Sequence, residues 1–310
     1  MSEATRRIGA ATRVLVVGIG GGGDVVGALA VAEAARALGT EAVVGGLTWE
    51  RRPVDPLPGP RRLDEIASAR PLHEAVAFAT PTTIGPGGFR FCESDMAAFL
   101  GEPVVLVDPN PGPAVVAAGL DAAAAHLGCD IVVLLDVGGD VLAHGDEPGL
   151  ASPLADATLL AAAPAMTTPT LGAVFGTGCD GELTPDEVLE RLAEVTAAGG
   201  DLGDLPLPPP ALDRVEAALA CVTTEASAMA IRCARGETGR AEIRGGRRTV
   251  ALTAAGGRIL CFDPAVAIRS AARLAAAVLD APSLAAAQSI LNALGVRTEL
   301  DYEREAARAG

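Results

Sequence analysis

From residue 13 onward, apolar runs of strand length alternate with stretches of helical length. "RVLVVGI" (13–19) is a run of branched residues ending at glycine, which predicts a strand buried on both faces. "DVVGALAVAEAARALG" (24–39) predicts the helix that follows it, stopped by Gly39. "EAVVGGLTW" (41–49), "AVAFAT" (75–80) and "PVVLVD" (103–108) predict further strands, and an alanine-rich helix is expected over 112–127. "DIVVLLD" (130–136), with five branched or leucine residues in a row, is the strongest strand pattern in the chain. A helix near 152–163, a strand "TLGAVFG" (170–176) and a helix over 184–200 continue the series, the last with Thr184 as N-cap and Pro185 in its first turn. Strands alternating with helices in this way predict an α/β fold: a doubly wound, mostly parallel, Rossmann-like sheet.

"LPLPPP" (205–210) breaks the alternation. Beyond it a long helix is expected over 211–234, then short antiparallel strands within 240–264 joined at Gly245-Gly246 and Gly256-Gly257, then two alanine-rich helices. The expected organisation is therefore a core over 1–204 with a C-terminal helical and β-hairpin extension over 205–310, the extension being a second unit or part of the same domain. No internal repeat is present, and no disordered tail is expected beyond the first dozen residues.

Composition narrows the chemistry. The chain of 310 residues carries a net charge of −15, which argues against a nucleic-acid backbone as partner. All 24 basic residues are arginine, so no Walker-A lysine, no pyridoxal-phosphate Schiff base and no lysine general base exists. No apolar run reaches the roughly 18 residues of a membrane span, and the N-terminus lacks a signal-peptide core, so the expected location is cytoplasmic with no membrane partner. The six cysteines (92, 129, 179, 221, 233, 261) lack CxxC spacing and read as reduced thiols, not a zinc site.

In open parallel sheets ligands bind outside the carboxyl ends of the strands, so the segments following each strand carry the most information. They are "GIGGGGD", "TWERR", "DPNPGP", "DVGGDVLAHGDEPGLASPLAD" and "GTGCDGEL". Gly18, Gly20 and Gly23 satisfy G-x-G-x-x-G between a strand and a helix, and with Gly21 and Gly22 they predict a loop whose backbone approaches an anion. The alternative is a tight strand–helix turn without a ligand. A nicotinamide cofactor is not expected, because the acidic residue that would hold a ribose about 20 residues on is missing. Asp24 would moreover repel a bare pyrophosphate unless it caps the helix or a metal intervenes.

Asp24, Glu50, Asp108, Asp136, Asp140, Asp146, Glu147, Asp180 and Glu182 together predict an acidic mouth, which suits Mg²⁺, sugar hydroxyls or an amine. In "DVGGD", Asp136 ends a buried strand and Gly138 and Gly139 turn the chain so that Asp140 returns; the pair is expected to share a cation, or to divide the work of base and orienting group. Helix caps and Asx turns are the competing explanation for such aspartates. "GTGCDGEL" repeats the design with Gly178, Cys179 and Asp180; Cys179 is either a nucleophile or a small residue in a glycine-rich turn. Thr48, Glu50 and Arg51 fall at the end of the second strand, and Arg51 is the arginine best placed to pair with negative charge. Arg52, Arg61, Arg62 and Arg90 read as solvated. His144, four residues past Asp140, is the histidine placed for proton transfer, whereas His126 reads as structural.

"GIGGGGDVVGAL", "GGLTWER", "DVGGDVLAHGDEPGLASPLAD" and "GTGCDGEL", in this order, resemble the domain-of-unknown-function 1152 family over most of the chain. The resemblance implies one fold and one set of motifs; it brings no reaction. From the residues, the expectation is an enzyme that transfers or hydrolyses at a ribosyl or phosphoryl centre of a small nucleotide-like or sugar-phosphate-like metabolite, assisted by Mg²⁺. The alternatives are a metal-free lyase or cyclase acting on an amine- or sugar-containing metabolite, and a non-catalytic metabolite sensor. A homo-oligomer is left open.

Overall fold

The computed structural model describes residues 1–52 and 54–309. Its strands are β1 (Arg13–Gly18), β2 (Glu41–Leu47), β3 (Arg70–His73), β4 (Val76–Ala79), β5 (Val104–Val107), β6 (Ile131–Val137), β7 (Thr170–Phe175), β8 (Asp201–Leu205), β9 (Gly239–Ile243), β10 (Arg248–Leu252) and β11 (Ile259–Phe262). The helices are α1 (Glu3–Ala10), α2 (Asp24–Ala37), α3 (Cys92–Leu100), α4 (Pro113–Leu127), α5 (Pro153–Ala162), α6 (Pro185–Ala197), α7 (Pro209–Ala218), α8 (Glu225–Ala234), α9 (Pro264–Ser270), α10 (Arg273–Ala277), α11 (Leu284–Ala293) and α12 (Glu299–Ala309). Among the described residues no helix is long and apolar enough to cross a membrane.

Nine strands form one sheet in the order β3-β4-β5-β2-β1-β6-β7-β11-β8. The five central strands, β5 to β7 in that order, are all parallel. Because side chains alternate along a strand, Val14 and Val16 of β1 enter one core with α2 and α8, while Leu15 and Val17 enter the other with α4, α5 and α11. Burial on both faces explains the unbroken apolar runs of β1 and β6, and the doubly wound α/β architecture is the one expected.

The flanks differ from a purely parallel series. β4 pairs antiparallel with β5, and β3 with β4. β9 and β10 form a separate two-stranded hairpin, but β11 leaves it through the turn at Gly256-Gly257 and inserts antiparallel between β7 and β8. The expected long helix over 211–234 is two helices, α7 and α8, with the second beginning after Thr224. Residues 3–10 form a helix, started by Ser2, whose side chain accepts from Thr5 N and donates to Asp204 O at 2.6 Å, tying α1 to β8.

β1 leads through α2 to β2 on one side, whereas β6 and β7 lie on the other. The chain thus reverses direction across the sheet between β1 and β6. That switch point opens a crevice beyond the strands' carboxyl ends.

Candidate functional site

The loop after β1 and the turn after β6 meet at the switch point. Asp24 opens α2, and its Oδ2 accepts hydrogen bonds from Gly20 N at 3.0 Å and Val137 N at 3.4 Å, joining the two segments. Burial pushes the Asp24 carboxyl up to about 7, against the opposing pull of those N–H groups and of Arg51. Two donors of the glycine loop are therefore in internal use: Gly20 N on Asp24, and Gly22 N on Trp49 O at 2.9 Å. Arg51 Nη2 donates to Gly20 O at 2.6 Å and lies 3.5 Å from Glu299 Oε1, with its guanidinium 4.7 Å from the Trp49 ring centre. Several glycines serve close packing: a Cβ on Gly23 would lie 2.2 Å from the Thr224 side chain, and Ser227 of α8 donates to Gly23 O.

Six carboxylates from five segments gather beside this loop. The ligating oxygens of Asp24, Asp136 and Asp156 lie within 4.8 Å of one another, and so do those of Asp140, Asp180 and Glu182. The two groups sense each other's charge. Burial first, then Asp156, Asp136, Glu182 and Asp180, raises the Asp140 carboxyl well above the usual range; burial, then Asp24 and Asp180, does the same for Asp136. Asp156 is raised by burial and by Asp136, Asp24 and Glu299. Asp180 is raised to about 7 by burial and Glu182, opposed by Arg244 and Arg248 and by a Glu182 N–H that is not aligned for a hydrogen bond.

These carboxylates are not equivalent. Asp136 Oδ2 accepts from Gly139 N at 2.9 Å and Val141 N at 3.1 Å, the bonds that shape the DVGGD turn. Glu182 accepts from Ala151 N and Ser152 N, both at 2.7 Å, and Glu299 from Leu154 N at 3.0 Å and Ala155 N at 2.9 Å. Both glutamates thus satisfy donors at the start of α5, where partial positive charge favours an anion. In contrast, Asp140 Oδ2, Asp156 Oδ1 and both oxygens of Asp180 are buried without any hydrogen-bond partner. Buried polar atoms are normally paired, and the orphaned oxygens of Asp140 and Asp180, grouped with Glu182, are of the hard, anionic kind that suits a cation such as Mg²⁺.

Asp136 and Asp140, expected to share a cation or to divide the roles of base and orienting group, fall in two neighbouring carboxylate groups. Gly139 in a left-handed conformation (φ +112°) swings Asp140 into a short 3-10 turn toward Asp180 and Glu182, leaving Asp136 with Asp24 and Asp156. Gly138 has no room for a side chain, since a Cβ would sit 2.4 Å from Asp180 Cγ. Gly18 is closed in the same way by the Asp24 backbone at 2.6 Å, and Gly178 by Pro185 at 2.7 Å. Gly21 (φ +82°) packs on Trp49 O.

Other expected residues lie nearby but face elsewhere. Glu50 accepts from Cys92 N at 2.5 Å and is raised chiefly by burial; Glu93, fully buried beside it, is raised by burial and by Glu50. The Thr48 backbone bonds to Val107 O at 2.9 Å, and its buried hydroxyl has no partner. His144 Nε2 points at Glu194 Oε2, 3.2 Å away; its charged neighbours are Arg191, Glu194, Arg273 and Glu147, and it groups with Asp146 and Glu147, apart from the six carboxylates beside the glycine loop. Burial holds that imidazole below its ordinary pKa. The Cys179 thiol lies 3.9 Å from that of Cys233, both buried. Asp108 accepts from Asn110 N at 2.8 Å, an Asx turn, and Asp146 is exposed.

Asp156, Glu299, Arg244 and Arg248 belong to the site although no strand end announces them as a group. An acid in the first turn of a helix is ordinary, which conceals Asp156. Arg244 and Arg248 come from the β9–β10 hairpin, which packs over Gly181. Beside them opens a cleft of about 470 Å³ lined by Pro148, Gly149, Leu150, Ala151, Gly181, Arg248 and Tyr302. A larger hollow of about 790 Å³ lies at the opposite, amino-terminal edge of the sheet between Arg13, Glu41 and Pro103, far from the carboxylates in topology.

No curated protein and no solved structure matches this chain. One family model does, over residues 15–307, and it spans every segment that builds the site. The chain belongs to that family, described as a protein of unknown function (DUF1152).

Proposed function

We propose that this protein is an enzyme that transfers or hydrolyses at a phosphoryl or ribosyl centre of a small phosphorylated metabolite, assisted by a divalent cation of the Mg²⁺ type. The observation that carries the reading is the Asp140–Asp180–Glu182 group, in which Asp140 Oδ2 and both oxygens of Asp180 are buried without a hydrogen-bond partner. Asp140 and Asp180, with Glu182 behind them, are the residues that would hold the cation. When bound, the cation supplies Lewis-acid stabilisation of charge developing on phosphoryl oxygens.

The remaining roles follow from the environments. Asp24, part-exposed and with its carboxyl near 7, is suited to take or give a proton at neutral pH. Asp136 holds the turn that presents Asp140, and Glu299 holds the end of α5 that presents Asp156. Arg51 fixes the glycine loop through Gly20 O.

A second reading, a metal-free lyase or cyclase taking an amine, draws on one observation: Asp24 already occupies the Gly20 N–H, so the loop offers an anion less than its motif implies. Thermal-shift screening of phosphorylated metabolites and of amines, each with and without Mg²⁺, separates the two. The metal reading expects stabilisation by Mg²⁺ that is lost in Asp140→Asn and Asp180→Asn, together with Mg²⁺-dependent turnover of a phosphorylated compound. Stabilisation by amines alone would reject it.

A further inference from the structure

The glycine loop is the conventional place to seek a phosphate site, yet its donors at Gly20 and Gly22 are engaged within the fold. Further cationic groups are carried by the β9–β10 hairpin. The β9–β10 hairpin stands outside the main sheet and is pinned at its turn, where Arg244, left-handed at φ +54°, donates its N–H to Glu225 Oε2 at 2.7 Å. Ile243 and Val250 are buried beneath it, so the hairpin is held by an apolar underside. Its two inward arginines differ. Arg244 lies 3.5 Å from Glu182 Oε1, whereas Arg248 donates through Nη1 to Gly181 O at 2.6 Å and meets no carboxylate within ion-pair distance among the described residues. Arg248 therefore forms no ion pair among the described residues, and its other N–H groups have no protein acceptor, in the wall of the 470 Å³ cleft.

We propose that this cleft binds the phosphoryl end of the substrate and that Arg248 is the cation that receives it. Gly181 is the link to the chemistry: it lines the cleft, accepts from Arg248 and lies between Asp180 and Glu182 in sequence, so the cleft abuts the segment that carries those two acids, although neither carboxylate lines it. A guanidinium grips two phosphoryl oxygens in parallel and leaves the remaining ones free for a second cation. The acidic centre alone repels a phosphate, and Arg248 supplies the missing attraction at the point of entry. The cleft volume falls within the range of small-molecule pockets. Tyr302 of α12, 40% exposed, forms the outer wall and leaves the approach open to solvent. This inference rests on the metal-assisted reading for its chemistry, but the anion site can be tested apart from it.

The experiment measures binding of inorganic pyrophosphate to the full chain by calorimetry and thermal shift, with and without Mg²⁺. Loss of charge-assisted hydrogen bonds predicts that Arg248→Gln weakens pyrophosphate binding by about 10- to 100-fold, with Arg248→Lys losing less, while the Mg²⁺ shift is unchanged. Tyr302→Glu, at an exposed position, puts a negative charge in the cleft and is expected to weaken pyrophosphate without touching the Mg²⁺ response, which keeps the test open if Arg248→Gln fails to fold. Wild-type affinity in both Arg248→Gln and Tyr302→Glu, or no pyrophosphate binding by the wild type, overturns the proposal. A wild type without a Mg²⁺ shift whose pyrophosphate binding still depends on Arg248 supports the anion site and rejects the metal-assisted reading.

Discussion

Asp180→Asn offers the sharpest physical test, because it is isosteric and its effect should change sign with conditions. Asp180 is buried, its two oxygens lack partners, and its carboxyl is raised from 3.8 to about 7. For an acid, a folded-state pKa above the unfolded one means that the folded protein holds the proton more tightly. The stability tied to that proton is complete below about pH 4, is lost as the pH rises, and is gone above about 7. At about 1.36 kcal/mol per pH unit, the displacement corresponds to about 4 kcal/mol. Because Asp140 and Glu182 titrate in the same field, a range of about 2–4 kcal/mol is the proper expectation.

Asparagine carries no charge to desolvate. In metal-free buffer at pH 8, Asp180→Asn is therefore expected to be more stable than the wild type, by about 4–8 °C in Tm for a chain of this size. Near pH 4 the wild-type carboxyl is protonated and the two melting temperatures should converge. Mg²⁺ at about 1,000 times Kd should then reverse the order at pH 8, since the wild type gains about 4.1 kcal/mol and the variant loses a ligand. Thermal denaturation at both pH values, with EDTA and with Mg²⁺, reads all four corners. A variant equally destabilised at both pH values would show that the Asp180 carboxylate is a satisfied part of the scaffold, and the argument from orphaned oxygens would fail.

The other predictions concern parts that position the site. Gly138→Ala places a Cβ 2.4 Å from Asp180 Cγ at a φ of +140°, so it should cost about 2–4 kcal/mol in urea denaturation and weaken the Mg²⁺ shift; a neutral result would contradict the packing. Glu299→Gln removes the anion that accepts from Leu154 N and Ala155 N, and a loss of about 1–2 kcal/mol with a weaker Mg²⁺ response is expected, measured in the same assay. His144→Ala should leave the Mg²⁺ shift at the wild-type value, because the ring faces Glu194; a lost shift would return His144 to the centre.

The fold was legible where burial on two faces writes itself as an unbroken apolar run, as in β1, β6 and β7. It was not legible at β8, whose "DLGDL" is an edge strand with only Leu202 and Leu205 buried. β11 announced itself as a strand, but alternation tells which face a residue takes and not which neighbour the strand will pair with, so its place between β7 and β8 could not be read. The same limit governed the site. The rule that ligands gather at strand ends located Asp24, Asp136, Asp140 and Asp180 in one region. Which carboxylates group together depends on the turn through the positive-φ glycines at 138 and 139, which places Asp140 with Asp180 and Glu182, and Asp136 with Asp24 and Asp156. Asp156 and Glu299 stayed hidden because acids open many helices for electrostatic reasons alone.

The start of α5 explains how so much negative charge is tolerated in one place, and why it is not fully answered. Its unpaired N–H groups and partial positive charge are directed at the acidic centre. Yet those donors are taken: Ala151 and Ser152 by Glu182, Leu154 and Ala155 by Glu299. Asp156 sits one step further along the same turn and receives none of them on Oδ1, while Asp140, which feels the charge of both Asp156 and Asp180, has its Oδ2 equally unpaired, as are both oxygens of Asp180. The nearby cations do not close the balance either, because Arg51 is held by Gly20 O and paired with Glu299, and Arg244 with Glu182. Repulsion among Asp140, Asp156 and Asp180 is thus left for protons at low pH or for an external cation at neutral pH. Protons relieve it only by removing the charge; a divalent cation relieves it while keeping every oxygen as a ligand, and that difference makes the effect of Asp180→Asn depend on metal as well as pH.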